Sequence, residues 1–442
     1  MSLVTNEAPS QQTMPSARPS LIAPLRVRNF RLLWAGESIS LLGDQFYLVA
    51  LPWLVLQLTG SGLAVGTVLG VAGVPRAVFM LVGGALTDRL SPRWLMFLSN
   101  ALRLILTLVL TILVLTQTLQ LWMLYIAALI FGTVDAFFIP AQTAIVPAIL
   151  ERDLLESGNA ITQITAQLSG FVGPALAGLV IAGFAGNAVQ AAANAAGENA
   201  RGIGFSFGFD ALTFLVAAAA LWMMTGKMKE KAKNDDPAQA QNLLGAIREG
   251  IGYVWQDKLL RITIFMTTAA NFLFGGPIGV GIPALAARRF PEEGAVAFGF
   301  ILSAFSLGAL LGAVLAGSLP RPRRLGLVVY GLLAAGGLGL MLFGMVSNLP
   351  VASLVGVGIG IIVGYVNVTM ITWLQKRIEP TLMGRVSSLL MLGAFGLQPI
   401  SNMIAGVLVD VSLVALFAGA GGLLAILALA LVANREIRAM GS

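Results

Sequence analysis

The chain has no cysteine and no histidine. Without thiols there is no disulfide, no thiolate nucleophile and no thiolate-bound metal. Without imidazole there is no His-ligated metal and no Ser-His-Asp hydrolysis. A serine–lysine nucleophile would need a lysine deep in an apolar segment, and none lies there. The sequence therefore reads as neither an enzyme nor a metal protein, with no cofactor, and any proton chemistry falls to Asp, Glu and water. Charge is scarce too, at 11% of 442 residues. What fills the space is apolar: 57% of residues are hydrophobic and the mean hydropathy is +0.88. A soluble fold has no use for that much apolar surface. A bilayer does, because each helical crossing takes about 20 apolar residues to span about 30 Å of hydrocarbon. The net charge of +7 then reads as a bias of basic residues to one membrane face, and not as a nucleic-acid footprint.

The apolar runs predict twelve crossings, over 32–58, 64–87, 94–116, 121–148, 158–185 and 205–225 in the first half, and 259–286, 296–318, 325–346, 350–376, 385–409 and 412–434 in the second. If the N-terminus is cytoplasmic, the inner loops and tails collect 22 Lys and Arg residues and the outer loops 3. That asymmetry fixes the expected orientation, and an even number of crossings puts both termini inside. Residues 1–31 read as a polar cytoplasmic tail without a secretory signal, and 435–442 as a second cytoplasmic tail. Between the six-helix bundles 32–225 and 258–434, the charged stretch 226–257 reads as a cytoplasmic linker ending in a short surface helix near 241–256. Gly173-Pro174 in the fifth crossing and Gln398-Pro399 in the eleventh lie 225 residues apart, a weak echo between the halves. Repeated halves with a substrate site between them are a common transporter plan.

Two segments carry a sharper signal. Gly84-Ala85-Leu86-Thr87-Asp88-Arg89-Leu90-Ser91-Pro92-Arg93 ends the second crossing. Its glycine permits close helix packing, and its charges sit where an ion pair can latch helices in one state and release them in another. Ser169-Gly170-Phe171-Val172-Gly173-Pro174-Ala175-Leu176-Ala177-Gly178 lies in the fifth crossing, where small residues allow close approach and Pro174 removes a backbone bond.

The first segment resembles the signature loop of the major facilitator superfamily, Gly-x-Leu-x-Asp-Arg-x-x-x-Arg, with Gly84, Asp88, Arg89 and Arg93 in the conserved-type positions. The second is similar to the Gly-x-x-x-Gly-Pro-x-x-Gly-Gly element of the superfamily's antiporters through Gly170, Gly173, Pro174 and Gly178, with Ser169 and Ala177 replacing glycines. Ser40-Leu41-Leu42-Gly43-Asp44, Leu58-Thr59-Gly60-Ser61, Pro140-Ala141, Val146-Pro147 and Gly384-Arg385-Val386-Ser387-Ser388 look like the macrolide-efflux and enterobactin-exporter branch, where a Gln is expected in place of Glu37. The resemblance implies an all-α fold of two pseudo-symmetric six-helix bundles and alternating access. It further implies proton-coupled export of amphipathic small molecules by a monomer embedded in the lipids of a bacterial inner membrane. A lipid or lysolipid flippase and a siderophore exporter are the alternatives on the same fold.

Charges inside the apolar runs are costly, about 2.5–3.5 kcal/mol each on the lenient insertion scale, and are functional by default. Asp44, Asp135, Arg76 and Arg103 all fall near mid-depth of the first bundle, and Glu37 shares a face of the first helix with Asp44. A carboxylate that moves between an apolar setting and a nearby arginine takes up and releases a proton. Asp44, Asp135 and Glu37 are thus the candidate proton-coupling residues, with Arg103 and Arg76 as partners. The second bundle has no acid deep in any helix. Its Asn271, Phe274, Asn367, Trp373 and Gln398, with Phe46 and Tyr47 of the first bundle, are candidates for lining a substrate cavity.

Overall fold

The computed structural model describes residues 20–184, 195–225, 251–320, 322–438 and 440, without the side chains of 80–89, 195–199, 380, 381, 383–385 and 388. The first half contains α1 (Arg28–Thr59), α2 (Gly62–Arg89), α3 (Pro92–Leu115), α4 (Leu121–Ile149), α5 (Leu155–Gly183) and α6 (Ala195–Met223). The second contains α7 (Lys258–Gly276), α8 (Ile282–Arg289), α9 (Ala295–Ser318), α10 (Leu325–Phe343), α11 (Leu349–Arg377), α12 (Pro380–Phe395), α13 (Gln398–Val411), α14 (Leu413–Val432) and the short α15 (Arg435–Arg438). A π-helical turn at Pro277–Gly281 joins α7 to α8 in one crossing, and α12 and α13 together make another, broken at Gly396-Leu397 ahead of Pro399. Among the described residues, twelve helical stretches are long and apolar enough to cross a membrane.

The sequence expectation needs correction at several ends. The sixth helix starts at Ala195, ten residues before the expected 205, and the first at Arg28. The eleventh crossing is two helices, because a proline one residue into α13 cannot donate the bond that a continuous helix needs. The segment after the second bundle forms a helical turn at Arg435–Arg438. Of the linker, 251–256 is helical, and 226–250 lies outside the described residues.

The halves repeat one packing plan. In the first, α2 packs on α4, α3 on α6, and α1 on both α5 and α6. In the second, α9 packs on α11, α10 on α14, and α7 on both α13 and α14. These pairs correspond crossing by crossing at an offset of six, which makes the halves pseudo-symmetric. The joints between halves obey the same relation, with α2 against α13 and α5 against α9.

Both joints are built from glycine against main chain. A Cβ on Gly66 would overlap the Asn402 carbonyl, one on Gly299 the Pro174 carbonyl, and one on Gly178 would stand 2.5 Å from the Ala295 carbonyl oxygen. Without side chains at these points the backbones meet directly. The contacts fall where α2 and α9 begin, along α13, and in the last third of α5. The halves therefore meet at the end of the molecule opposite the start of α1 and the end of α14. Every cross-half hydrogen bond among the described residues lies there too.

Candidate functional site

Five helices of the first half converge on a polar cluster inside the apolar bundle. Asp135 of α4 accepts hydrogen bonds from Arg76 of α2 and Arg103 of α3. Arg103 is 5% exposed. Its guanidinium lies 4.1 Å from the ring centre of Phe138 and 5.6 Å from that of Phe214. A flat cation resting on aromatic faces keeps its charge at lower cost than a bare one would. Both arginines are thus committed to one carboxylate.

Asp44 stands sixteen residues into α1, about 24 Å along the helix. It makes no hydrogen bond among the described residues. It is close enough to Arg103, Asp135 and Arg76 to sense their charges. Beside it is a residue that the sequence reading missed. Asp210 of α6 has no exposed surface, and neither carboxyl oxygen has a partner. A Cβ on Gly43 would come 2.7 Å from Asp210 Oδ1, so the tight packing of α1 on α6 sets Asp210 against the turn that carries Asp44. Asn100, a turn before Arg103 on α3, is also fully buried with its amide unpartnered. The signal for Asp210 was an acid within an apolar run. It was overlooked because an α6 starting at 205 would have left it near the membrane surface.

Glu37 is separate from the ion pairs. Its Oε2 accepts from Gln142 Nε2 of α4 at 2.9 Å, and its Oε1 is buried without a partner. The cluster thus holds four carboxyl groups against two guanidiniums, with both guanidiniums spent on Asp135.

The remaining candidates separate into several environments. Phe46 and Phe274 belong to the hydrophobic core; Phe46 packs on Phe209 with ring centres 4.6 Å apart. Tyr47 packs in a tilted arrangement on Phe131, with ring centres 4.5 Å apart. Asn271 and Asn367 are exposed, and Asn271 donates to the Thr267 carbonyl of its own helix at 2.9 Å. Trp373 carries the Arg377 guanidinium 5.4 Å from its ring centre. The Gln398 amide fills the space over Gly275.

Of the latch candidates, Gly84, Asp88 and Arg89 lie in α2 beyond the described side chains. Arg93 donates from Nε to the Leu221 carbonyl and from a terminal nitrogen to the Trp222 carbonyl, each at 2.7 Å. It caps the end of α6 within its own half. The α5 element lies in the joint between halves. Gly178 and Pro174 meet α9 there, the Ala175 amide donates to Ser303 Oγ at 2.9 Å, and Gly170 faces Ser306. Gly173 packs on Gln45 of α1.

At the same end of the molecule, Asp410 closes the second joint. It accepts from Ser61 Oγ at 2.7 Å and from the Gly62 and Leu63 amides at 2.7 and 3.0 Å. Arg288 holds it from its own half at 3.2 Å.

A sequence profile of the Major Facilitator Superfamily matches residues 33–397. The chain belongs to that superfamily. It is a multi-pass membrane transporter and not an enzyme. Among relatives in the superfamily, the chain is 23% identical to Macrolide efflux protein A of Streptococcus pyogenes over 363 residues, covering 81% of this chain and 84% of the relative. It is 25% identical to the Multidrug efflux pump Tap of Mycolicibacterium fortuitum over 399 residues, covering 88% and 89%. It is 23% identical to the Enterobactin exporter EntS of Shigella flexneri over 360 residues, covering 81% and 80%. Its fold is that of the nucleoside transporter NupG, with a TM-score of 0.66 at 13% identity over 92% of this chain and 98% of that one. A bacterial homologue of the iron transporter ferroportin aligns with a TM-score of 0.64 at 14% identity, over 92% and 99%.

Proposed function

We propose that the chain exports amphipathic small molecules in exchange for protons, by alternating access between its two halves. The observation that carries this reading is the imbalance at Asp44 and Asp210. Two carboxyl groups lie beside an ion-pair cluster whose arginines are already committed, inside a bundle where uncompensated charge is costly. Such an arrangement is suited to gaining and losing a proton at Asp44, with Asp135, Arg76 and Arg103 as the fixed counter-charge. Efflux functions in the names of the macrolide, multidrug and enterobactin relatives support the direction of transport.

The basic loops favour a plasma-membrane protein with both termini in the cytoplasm. In that orientation the joint of α2 with α13 and of α5 with α9 is the external gate, closed here. Its reopening requires Asp410 to leave the start of α2, and the Ala175–Ser303 bond to break. On this reading Asp88, Arg89 and Gly84 serve the opposite gate.

The test is efflux of a cationic dye from proteoliposomes under an imposed pH gradient. Export by the parent is expected to follow the gradient and to stop with an uncoupler. Asp44→Asn is expected to remove the gradient response while the purified protein remains folded. Efflux by the parent that ignores both gradient and uncoupler refutes proton coupling.

A further inference from the structure

The seventh crossing is broken, and a side chain from another crossing holds the break. In a regular α-helix each amide donates to the carbonyl four residues before it, so Gly276 would donate to Phe272 and residue 277 to Leu273. Neither rung is regular here. Ser401 Oγ of α13 accepts from the Gly276 amide at 2.8 Å and donates to the Phe272 carbonyl, and so bridges the first rung. The second rung has no donor, because residue 277 is proline. The π turn Pro277–Gly281 follows directly. An inserted hydroxyl, a proline and a π turn are each a cause of helix bending, and here they fall together. Ser401 is 4% exposed, so water does not compete for its bonds. The counterpart crossing of the first half, α1, runs as one α-helix from Arg28 to Thr59. The break is therefore not a demand of the shared packing plan.

The break divides the crossing into parts with different neighbours. Before it, α7 packs on α12, α13 and α14 of its own half. Beyond it, the π turn packs on α2, and α8 packs on α1, both in the first half. A Cβ on Gly279 would stand 3.7 Å from Leu69 of α2 and 3.3 Å from Asn402 Oδ1. That oxygen is buried without a partner, an acceptor left for an amide that a rewound turn would present. At the far end, Arg288 donates to the Val409 carbonyl at 2.7 Å and holds Asp410, which closes the joint with α2. The part beyond the break, Pro277–Arg289, is about 20 Å of helix. A change of about 20° at its base carries its tip about 7 Å, most of one spacing between packed helices.

We propose that Ser401 is a positioning residue for transport: its hydroxyl holds the seventh crossing bent, and the outer part, Pro277–Arg289, swings on and off α2 as the external gate closes and opens. This assignment rests on the alternating-access reading for its context. It adds a hinge within one half to the motion between halves. Without the hydroxyl, Gly276 and Phe272 bond directly and the bend loses its support.

The test uses the full chain in proteoliposomes. Leu69→Cys is then the single thiol, and a membrane-impermeant maleimide reports when the π turn leaves α2. Ser401→Ala is expected to speed labelling about threefold to tenfold, the factor that one net hydrogen bond is worth. Pro277→Ala reaches the same break without touching Ser401, because it restores the missing donor and removes the ring. It is expected to speed labelling by a similar factor. In the Pro277→Ala background, Ser401→Ala is expected to add less than about twofold, since positions that act through one element are not additive. Labelling at the parent rate in Ser401→Ala, or two factors that simply multiply, overturns the hinge and leaves the serine as packing. Labelling that follows the hinge in a protein that exports nothing under a pH gradient upholds the hinge and refutes the export reading. Gradient-driven export with labelling indifferent to both substitutions does the reverse.

Discussion

The carboxylate of Asp410, in the last turn of α13, caps the first turn of α2 by accepting the Gly62 amide at 2.7 Å and the Leu63 amide at 3.0 Å. The first amides of a helix have no partner within it. Here the partner comes from the opposite half of the transporter. Side-chain caps of this kind contribute about 0.5–2 kcal/mol, and a negative charge at the positive end of a helix adds a few tenths to 1 kcal/mol. That stabilisation exists only while the joint is closed.

Asp410→Ala is therefore expected to loosen this gate without unfolding either half. The absence of native cysteine makes a reporter simple. Met403→Cys, at the Gly70 contact of the joint, is expected to react several-fold faster with a membrane-impermeant maleimide when Asp410→Ala is present. Equal labelling rates with and without Asp410 would show that the cap does not hold the gate.

Bulk at the joint has the opposite character. Gly299→Val places a branched side chain against the Pro174 carbonyl of α5, where even a Cβ overlaps. The expected result is a folded transporter that cannot close this gate. Efflux should fall to background while thermal stability in detergent changes by no more than about 1 kcal/mol, because the rest of each half packs independently of the joint. Wild-type efflux from Gly299→Val would mean that the joint opens and closes with room to spare.

Asp135 and Asp44 should separate in unfolding experiments. Asp135→Asn strands Arg76 and Arg103 in an apolar bundle, and breaking a buried pair from one side costs about 3–5 kcal/mol. Asp44 has no bond to lose among the described residues, so Asp44→Asn is expected to stay within about 1 kcal/mol of the parent. Melting curves of the two purified variants check this. Equal destabilisation would mean that Asp44 is as much a part of the ion-pair framework as Asp135.

A pH control lies outside the membrane. Asp257 caps α7 by accepting the Leu260 amide at 3.0 Å and binds Arg377 at 2.7 Å. Partial burial opposes its ionisation, but the Arg377 bond and the helix amides outweigh this and hold its carboxyl below the ordinary carboxylate range. A lowered folded value means that the stabilisation is complete above the unfolded value, about 3.9, and disappears as pH falls through the folded one. Between about pH 5 and 8 the clasp is constant. Asp257→Asn should thus leave the pH profile of transport unchanged in that window. A shifted profile would place a coupled proton at the membrane surface and not in the bundle.

The twelve crossings were legible because hydropathy is local and each run declares itself. The capture of Asp135 by two arginines was only half legible. Depth along each helix brought the four charges to one level, but the rotation that turns Arg76 and Arg103 toward Asp135 while leaving Asp44 unbonded depends on how α1, α2, α3 and α4 pack together. Asp210 was hidden by a helix end. Beside Pro174, which removes a backbone bond, the Ala175 amide finds Ser303 on another crossing. That pairing is 128 residues away in sequence, and no local pattern encodes it. Phe46 and Phe274 show the converse, because an aromatic residue in a membrane helix reads the same whether it faces core, lipid or cargo.

The repeated architecture also conceals an electrical asymmetry. Among the described residues, the second half keeps its charged side chains at the ends of its helices, whereas the first half holds Glu37, Asp44, Arg76, Arg103, Asp135 and Asp210 within them. A membrane voltage does about 2.3 kcal/mol of work per elementary charge per 100 mV. That work is delivered to one half only. The two halves share one packing plan, yet the field across the bilayer grips the first and slides past the second.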